Sequence, residues 1–188
     1  MAILSSIRPA SPKALTTLLR ALAEKGPSAI KINHLAAELL ATKGSFYWHF
    51  KEFAGFKASM LELWFTKVAT EVIDEINEAS CAEERLEVLF VNALRVPPDE
   101  FGGRKIEPAM RAWALSDSDV AKALDNLDRF RMAFIQQLLK ELGIENQSLV
   151  QLCYGAYIGL DDLTSKNKAD IASALDELKT MILQRRLV

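Results

Sequence analysis

The chain has 188 residues, half of them apolar and 26% charged, with a formal net charge of −2. That apolar share is enough for a packed core and argues against disorder. The start, Met1 to Ser6, holds no sustained apolar stretch. The longest apolar-looking run, Leu149 to Leu160, contains Gln151 and ends at Asp161-Asp162, short of the roughly 20 residues that span a bilayer. A soluble, cytoplasmic protein without a membrane partner is expected. Charge is unevenly spread. Residues 1–60 carry eight Lys/Arg against three Glu, a net of +5, and the remainder carries a net of −7. A basic head on an acidic body is the footprint of a protein in which only the head meets a polyanion.

Helix signals run the length of the chain, and sustained period-two alternation is absent. The first helix has Ser11 as N-cap, Pro12 at its first position and Gly26 just past its end, with Leu15, Leu18, Leu19 and Leu22 on one face. After Gly26-Pro27 come two short helices, about Ile32–Leu39 and Thr42–Phe50, joined by a tight connection. A longer helix from Phe53 to about Asn77 bears Phe56, Met60, Leu63, Trp64, Val68 and Val72. The next, Glu83 to Val96, is closed by Pro97-Pro98, and Pro98 to Gly103 reads as a loop. Further helices are expected at 105–115, at 118–142 with Gly143 as its stop, at 147–163 and at 169–187. The fold class is all-α with about nine helices: a three-helix head with a helix-turn-helix, then a helical regulatory and dimerisation body. The domains fall at 1–56 and 57–188.

The two short helices in the basic head make a helix-turn-helix candidate. Ile32, Leu35, Ala36 and Leu39 give one an inner face, and Ala41, Phe46 and Phe50 give the other its own. What remains outside on the second is Thr42, Lys43, Gly44, Ser45, Tyr47, Trp48 and His49. Hydroxyls, a lysine and a histidine suit phosphates, and aromatic rings suit sugar and base edges. Gly44 lets the helix backbone approach a groove closely, at about 1 kcal/mol of helix propensity.

The run Lys43-Gly44-Ser45-Phe46-Tyr47-Trp48-His49-Phe50 resembles the recognition-helix signature of the tetracycline-repressor (TetR) family, and Ile32–Ala41 resembles the helix before it. The matched region covers residues 11–60, and Glu107–Ala114 also looks like a segment seen in many such regulators. The resemblance implies a homodimer that binds palindromic operator DNA and acts as a repressor released by a small molecule. It implies DNA contacts at Lys31, Thr42, Lys43, Gly44, Ser45, Tyr47, Trp48, His49 and Lys51. The chain departs from the pattern at three places. Leu40 stands where a turn glycine is usual, Lys31 where a capping threonine is common, and Phe53 where a lysine is common, which leaves Lys51 or Lys57 as substitutes for that lysine.

In the body, Trp64, Val68, Asn92, Met110, Arg111, Trp113, Phe130 and Phe134 are candidates to line an effector pocket between helices. Leu152, Gly155, Ala156 and Gly159 on one helix, and Leu175, Leu178 and Ile182 on the last, are candidates for a four-helix dimer interface. Cys81 and Cys153 fit no metal-ligand spacing and are expected as small buried residues; no metal or cofactor is expected. Both histidines, His34 and His49, fall in the head, and no hydrolase, zinc-protease, P-loop or dinucleotide signature is present, so no enzyme is expected. The alternative is an all-α small-molecule binding module, or an enzyme, that does not bind DNA.

Overall fold

The structure, a computed structural model, describes residues 12–30, 50–163 and 168–185. Among the described residues there are seven helices and no strand. They are α1 (Pro12–Lys25); α2, which runs over 50–77; α3 (Ala82–Leu94); α4 (Ile106–Ala114); α5 (Ser118–Glu141); α6 (Gln147–Leu163); and α7 (Lys168–Arg185). The all-α expectation is met, and so are these seven of the nine expected helices. The two short helices over 32–50 fall almost wholly outside the described residues. No helix here is long and apolar enough to cross a membrane, among the described residues.

The chain forms two compact units, each built from separate stretches. The first comprises Met1–Thr66 and Pro97–Leu124, the second Lys67–Val96 and Asp125–Val188.

In the first unit α1 behaves as its spacing predicts: Leu15, Leu18, Leu19 and Leu22 are all buried. Gly26, at φ 73, ends it, and its amide donates to the Leu22 carbonyl at 2.8 Å. Helix α4 lies against α1 and turns Ile106, Met110 and Trp113 into the interior, at i, i+4 and i+7. The segment expected as a loop is instead two tight 3-10 turns, Asp99–Phe101 and Gly103–Lys105, which also lie against α1. Gly102 between them explains why. It sits at φ 97, and a Cβ there would stand 2.5 Å from the Ala23 Cβ and 3.2 Å from the Leu19 carbonyl oxygen. Only a residue without a side chain lets the connection come this near α1.

The second unit has its core where α3, α5, α6 and α7 meet, around Leu86, Leu138, Leu139, Leu142, Val150 and Ile182. Ion pairs lie round it: Arg85 with Glu141, Lys179 with Glu87, and Arg95 with Glu75, the last through two parallel bonds of 2.6 and 2.8 Å.

Helix α2 differs from its sequence reading. It is α-helical over Phe50–Phe65, a π-helix over Thr66–Thr70, and α-helical again over Glu71–Asn77. The spacing Met60, Trp64, Val68, Val72 predicts an unbroken α-helical stripe. The structure buries Met60, Leu61 and Trp64, but then Ala69 and Ile76, while Val68 and Val72 are only half-buried. A π turn absorbs one residue, so the helix slips by one residue here, and the boundary between the two units falls inside the slip, at Thr66/Lys67.

Candidate functional site

The expected DNA contacts Lys31, Thr42, Lys43, Gly44, Ser45, Tyr47, Trp48 and His49 lie outside the described residues, as does Leu40. Lys51 stands in the first turn of α2 by its backbone. Lys57, the other candidate to replace the family's lysine, is a correction. Its ammonium is held by Asp117 at 2.9–3.0 Å and by Asp119 at 2.7 Å, and its side chain is only 12% exposed. Burial alone would pull the Lys57 pKa down, but the bonds to Asp119 and Asp117 outweigh it and raise the pKa above the ordinary value. Burial would likewise push Asp117 up, yet Lys57 and the amides of Val120 and Asp119 hold it low. Those amides donate to Asp117 Oδ1 at 3.2 and 3.0 Å, so the same carboxylate caps the start of α5. The cluster was missed from sequence, although an aspartate directly before Ser118 is a legible cap signal.

The eight effector candidates divide between the units. In the first, Trp64 and Met110 are almost fully buried and Trp113 nearly so. Arg111, beside them on α4, pairs with Glu107 one turn back at 2.9 Å. The Trp64 Nε1 atom is buried with no hydrogen-bond partner. In the second unit, the Val68 carbonyl accepts a bond from Arg131 at 3.1 Å, and Phe134 packs against the core. Phe130 is 39% exposed, which turns it outward. Asn92 donates to the Val88 carbonyl of its own helix at 3.1 Å, while its Oδ1 is buried without a partner.

The candidate interface residues also separate. On α6, Leu152 is 64% exposed, and a Cβ placed on Gly155 or Gly159 meets nothing within 4 Å. With half-buried Ala156 they form an outward strip that the described residues leave uncovered. The stripe on α7 is turned the other way. Leu175 and Ile182 are buried in the chain's own interior, so these two side chains are not presented to a second copy, while Leu178 is half-buried against the core. Among the described residues of α7, the large apolar side chain that is exposed is Met181, at 49%. A 3.6-residue stripe shows that a helix has an inner face, not whose interior it enters.

Sequence reasoning also missed a group in the second unit. Tyr154 donates to Asp128 at 2.6 Å, the Tyr154 and Tyr157 rings stack at 6.2 Å, and the Arg131 guanidinium lies 5.4 Å over the Tyr157 ring. Cys153 is buried as expected, and burial pushes its thiol up to about 11. Cys81 is exposed instead, because it stands in the turn that opens α3. Among the described residues, no group of His, Cys, Asp and Glu could hold a metal ion.

No protein-family model matches the chain, and no curated protein is similar to it by sequence. Solved structures are similar. A TetR-family transcriptional regulator from Streptomyces coelicolor superposes with a TM-score of 0.75 at 14% identity, over 95% of this chain and 90% of that one. A protein described as a TetR-family transcriptional regulator from Rhodococcus sp. gives 0.71 at 15% identity, over 91% and 97%. One described as a transcriptional regulator from Saccharomonospora viridis, in complex with choline, gives 0.65 at 19% identity, over 88% and 92%. With an all-α chain matched over nearly its whole length on both sides, this protein has the fold of the TetR-family transcriptional regulators.

Proposed function

We propose that the protein is a DNA-binding transcription regulator, with residues 1–56 as the DNA-reading part and 57–188 as the part that binds an effector and a second copy. The observation that carries this reading is the pairing of the TetR fold with the run Lys43–Phe50 in a segment of net charge +5. In this reading Lys31, Lys43, His49 and Lys51 meet phosphates, Thr42 and Ser45 share that work, and Tyr47 and Trp48 lie on sugar and base edges across Gly44. A dimer reading a two-fold operator holds its recognition helices about 34–36 Å apart, so a modest change in that spacing spoils the second half-site. The mode of action is repression relieved by a small molecule in the cytoplasm.

The effector reading rests on Trp64. Its N–H is buried with no acceptor, and an unpaired buried donor calls for an explanation, a bound molecule among them. An amphipathic effector with an acceptor oxygen that takes the Trp64 N–H, in the unit that also buries Met110 and Trp113, supplies one. The choline of the Saccharomonospora protein carries such a hydroxyl and is the first compound to try. For the second copy, the strip Leu152, Gly155, Ala156 and Gly159 supports pairing through α6, where small residues allow close approach of helices.

The test selects operator fragments from genomic DNA, then measures binding with and without effector candidates while following tryptophan fluorescence. Sequence-specific retention of a palindrome, lost in Lys43→Ala or Tyr47→Ala, is the expected result. If both variants bind the selected DNA like wild type, the recognition helix is wrongly assigned. Compounds that change the fluorescence yet leave operator affinity unaltered would separate the pocket from regulation.

A further inference from the structure

The stretch 31–49, which carries most of the proposed DNA contacts, lies in sequence between two described elements, and both are fastened to the same piece of chain. The element before it is the tight 3-10 turn Pro27–Ile30, in which the Ala29 amide donates to the Gly26 carbonyl at 3.0 Å and Ala29 and Ile30 are buried. That turn lies against α4. The element after it is α2, where Lys57, two turns in, holds Asp117 and Asp119 just past the end of α4. Asp117 is itself fixed, since its amide donates to the Trp113 carbonyl at 3.1 Å and its Oδ1 caps α5. All of these residues belong to the first unit. The first half of α2 also lies against α1. Apolar contact of that kind is non-directional and tolerates a helix rolling or sliding. Bonds of 2.7–3.0 Å from one ammonium to two carboxylates are directional and do not.

We propose that Lys57 is a positioning residue for DNA binding: through Asp117 and Asp119 it fixes the point at which the chain leaves the stretch 31–49, without touching DNA itself. This rests on the DNA-binding reading given above. Contacts to a duplex count only when they are held in place beforehand, and residues that hold them need not reach the ligand. The turn before the stretch is held by apolar burial against α4, and the helix after it by an ion pair to the chain that follows α4, so residues 106–119 set both ends. The role has a signature of its own. A lysine that meets phosphate releases counterions and enters the salt dependence of binding. Lys57 spends its charge on two carboxylates and is only 12% exposed, so its loss lowers affinity and leaves the salt slope as it was.

The experiment uses the full chain and has two arms. In the first, operator fragments selected with the wild type are titrated at several salt concentrations. Lys57→Met, which keeps the stem and drops the charge, should weaken binding by about tenfold with an unchanged slope. Lys57→Arg, which keeps a cationic donor, should restore most of the affinity. A slope reduced by about 1 would make Lys57 a phosphate contact and overturn the proposal; so would unchanged affinity in a folded Lys57→Met. The second arm needs no DNA. In a Cys81→Ser background, where Cys153 stays buried, spin labels go on exposed sites as the pairs Ala54→Cys with Leu115→Cys and Ser28→Cys with Leu115→Cys. Labelled chains are diluted with unlabelled ones, and the distances are read by electron paramagnetic resonance. Adding Lys57→Met should broaden the 54–115 distribution and leave 28–115 narrow. If both broaden, the pair merely stabilises the unit; if neither does, Lys57 holds nothing in place, and either result overturns the proposal. Should the wild type select no DNA, the DNA-binding reading falls, and the label distances alone decide whether the tie holds. If Lys57→Met does not fold, Asp119→Asn removes one of the two partners and spares the α5 cap. It must then broaden 54–115 alone, or the proposal falls.

Discussion

The Lys57 ammonium meets two carboxylates at once, and one of them also caps α5. This links pH to stability at both ends of the scale. The depressed Asp117 contributes stability that is present above about pH 4, its ordinary range, and is lost as pH falls through its lower folded value. The raised Lys57 contributes stability that is present below about pH 10 and is lost as pH rises through its folded value. Lys57→Met should destabilise the protein by about 1–3 kcal/mol at neutral pH. The gap between the wild-type and variant melting curves should stay flat from about pH 5 to 10 and narrow beyond both ends. A gap that does not depend on pH would mean that the aliphatic stem, not the charge, does the work. Two glycines give a second contrast from the same substitution. Gly102→Ala should cost about 1–3 kcal/mol, because φ is 97 and the new methyl collides with Ala23. Gly55→Ala, in open space on α2, should stabilise by up to about 1 kcal/mol. Equal melting shifts for the two would contradict the packing described for Gly102.

Helix α2 shows where element-level reading succeeds and where it stops. Its existence and approximate span follow from the apolar spacing, and so do those of the other described helices. Its one-residue slip does not, because Val68 and Ala69 are both apolar and either register looks acceptable in isolation. Only the positions of Ala69 and Ile76 in the folded chain decide between them. A deletion tests this directly. Removing Lys67 from the π segment takes out the residue that the wide turn absorbs, and residues 71–77 keep their faces. Removing Glu62, one and a half turns earlier, lacks that compensation for residues 63–65. The first deletion should lower the thermal midpoint by much less than the second. Equal losses would show that the π turn is not the reservoir. The α7 stripe was legible in the same limited sense: its spacing marked an inner face, but the interior it enters is its own chain's.

For the whole molecule, self-association and DNA binding carry separate predictions. Gly155→Leu should yield monomers by light scattering, since Leu152, Gly155 and Gly159 form the outward strip of α6; a dimer that persists would place the interface elsewhere. Operator affinity should fall linearly with salt on logarithmic axes, and Lys43→Ala should lower that slope by about 1. An unchanged slope would remove Lys43 from the phosphate contacts. The run Lys43–Phe50, which we propose reads DNA, was the clearest signal in the sequence, because its residue types are unusual in so short a stretch. The Lys57 cluster and the bond from Arg131 to the Val68 carbonyl were not legible, because each joins residues about 60 positions apart.

The first unit is assembled from chain that is not contiguous, and this has a consequence for the order of synthesis. Helix α1 is made early, yet the turns and the helix α4 that lie against it come from residues 97–124. At about 5–20 residues per second, Leu18, Leu19 and Leu22 wait several seconds on the ribosome before the part of their cover supplied by residues 97–124 arrives. A nascent chain stalled near residue 90 should therefore be bound by chaperones and cut readily within α1. One stalled well past residue 124, with that stretch clear of the ribosome, should resist both, and equal cleavage at the two lengths would mean that α1 finds its cover elsewhere.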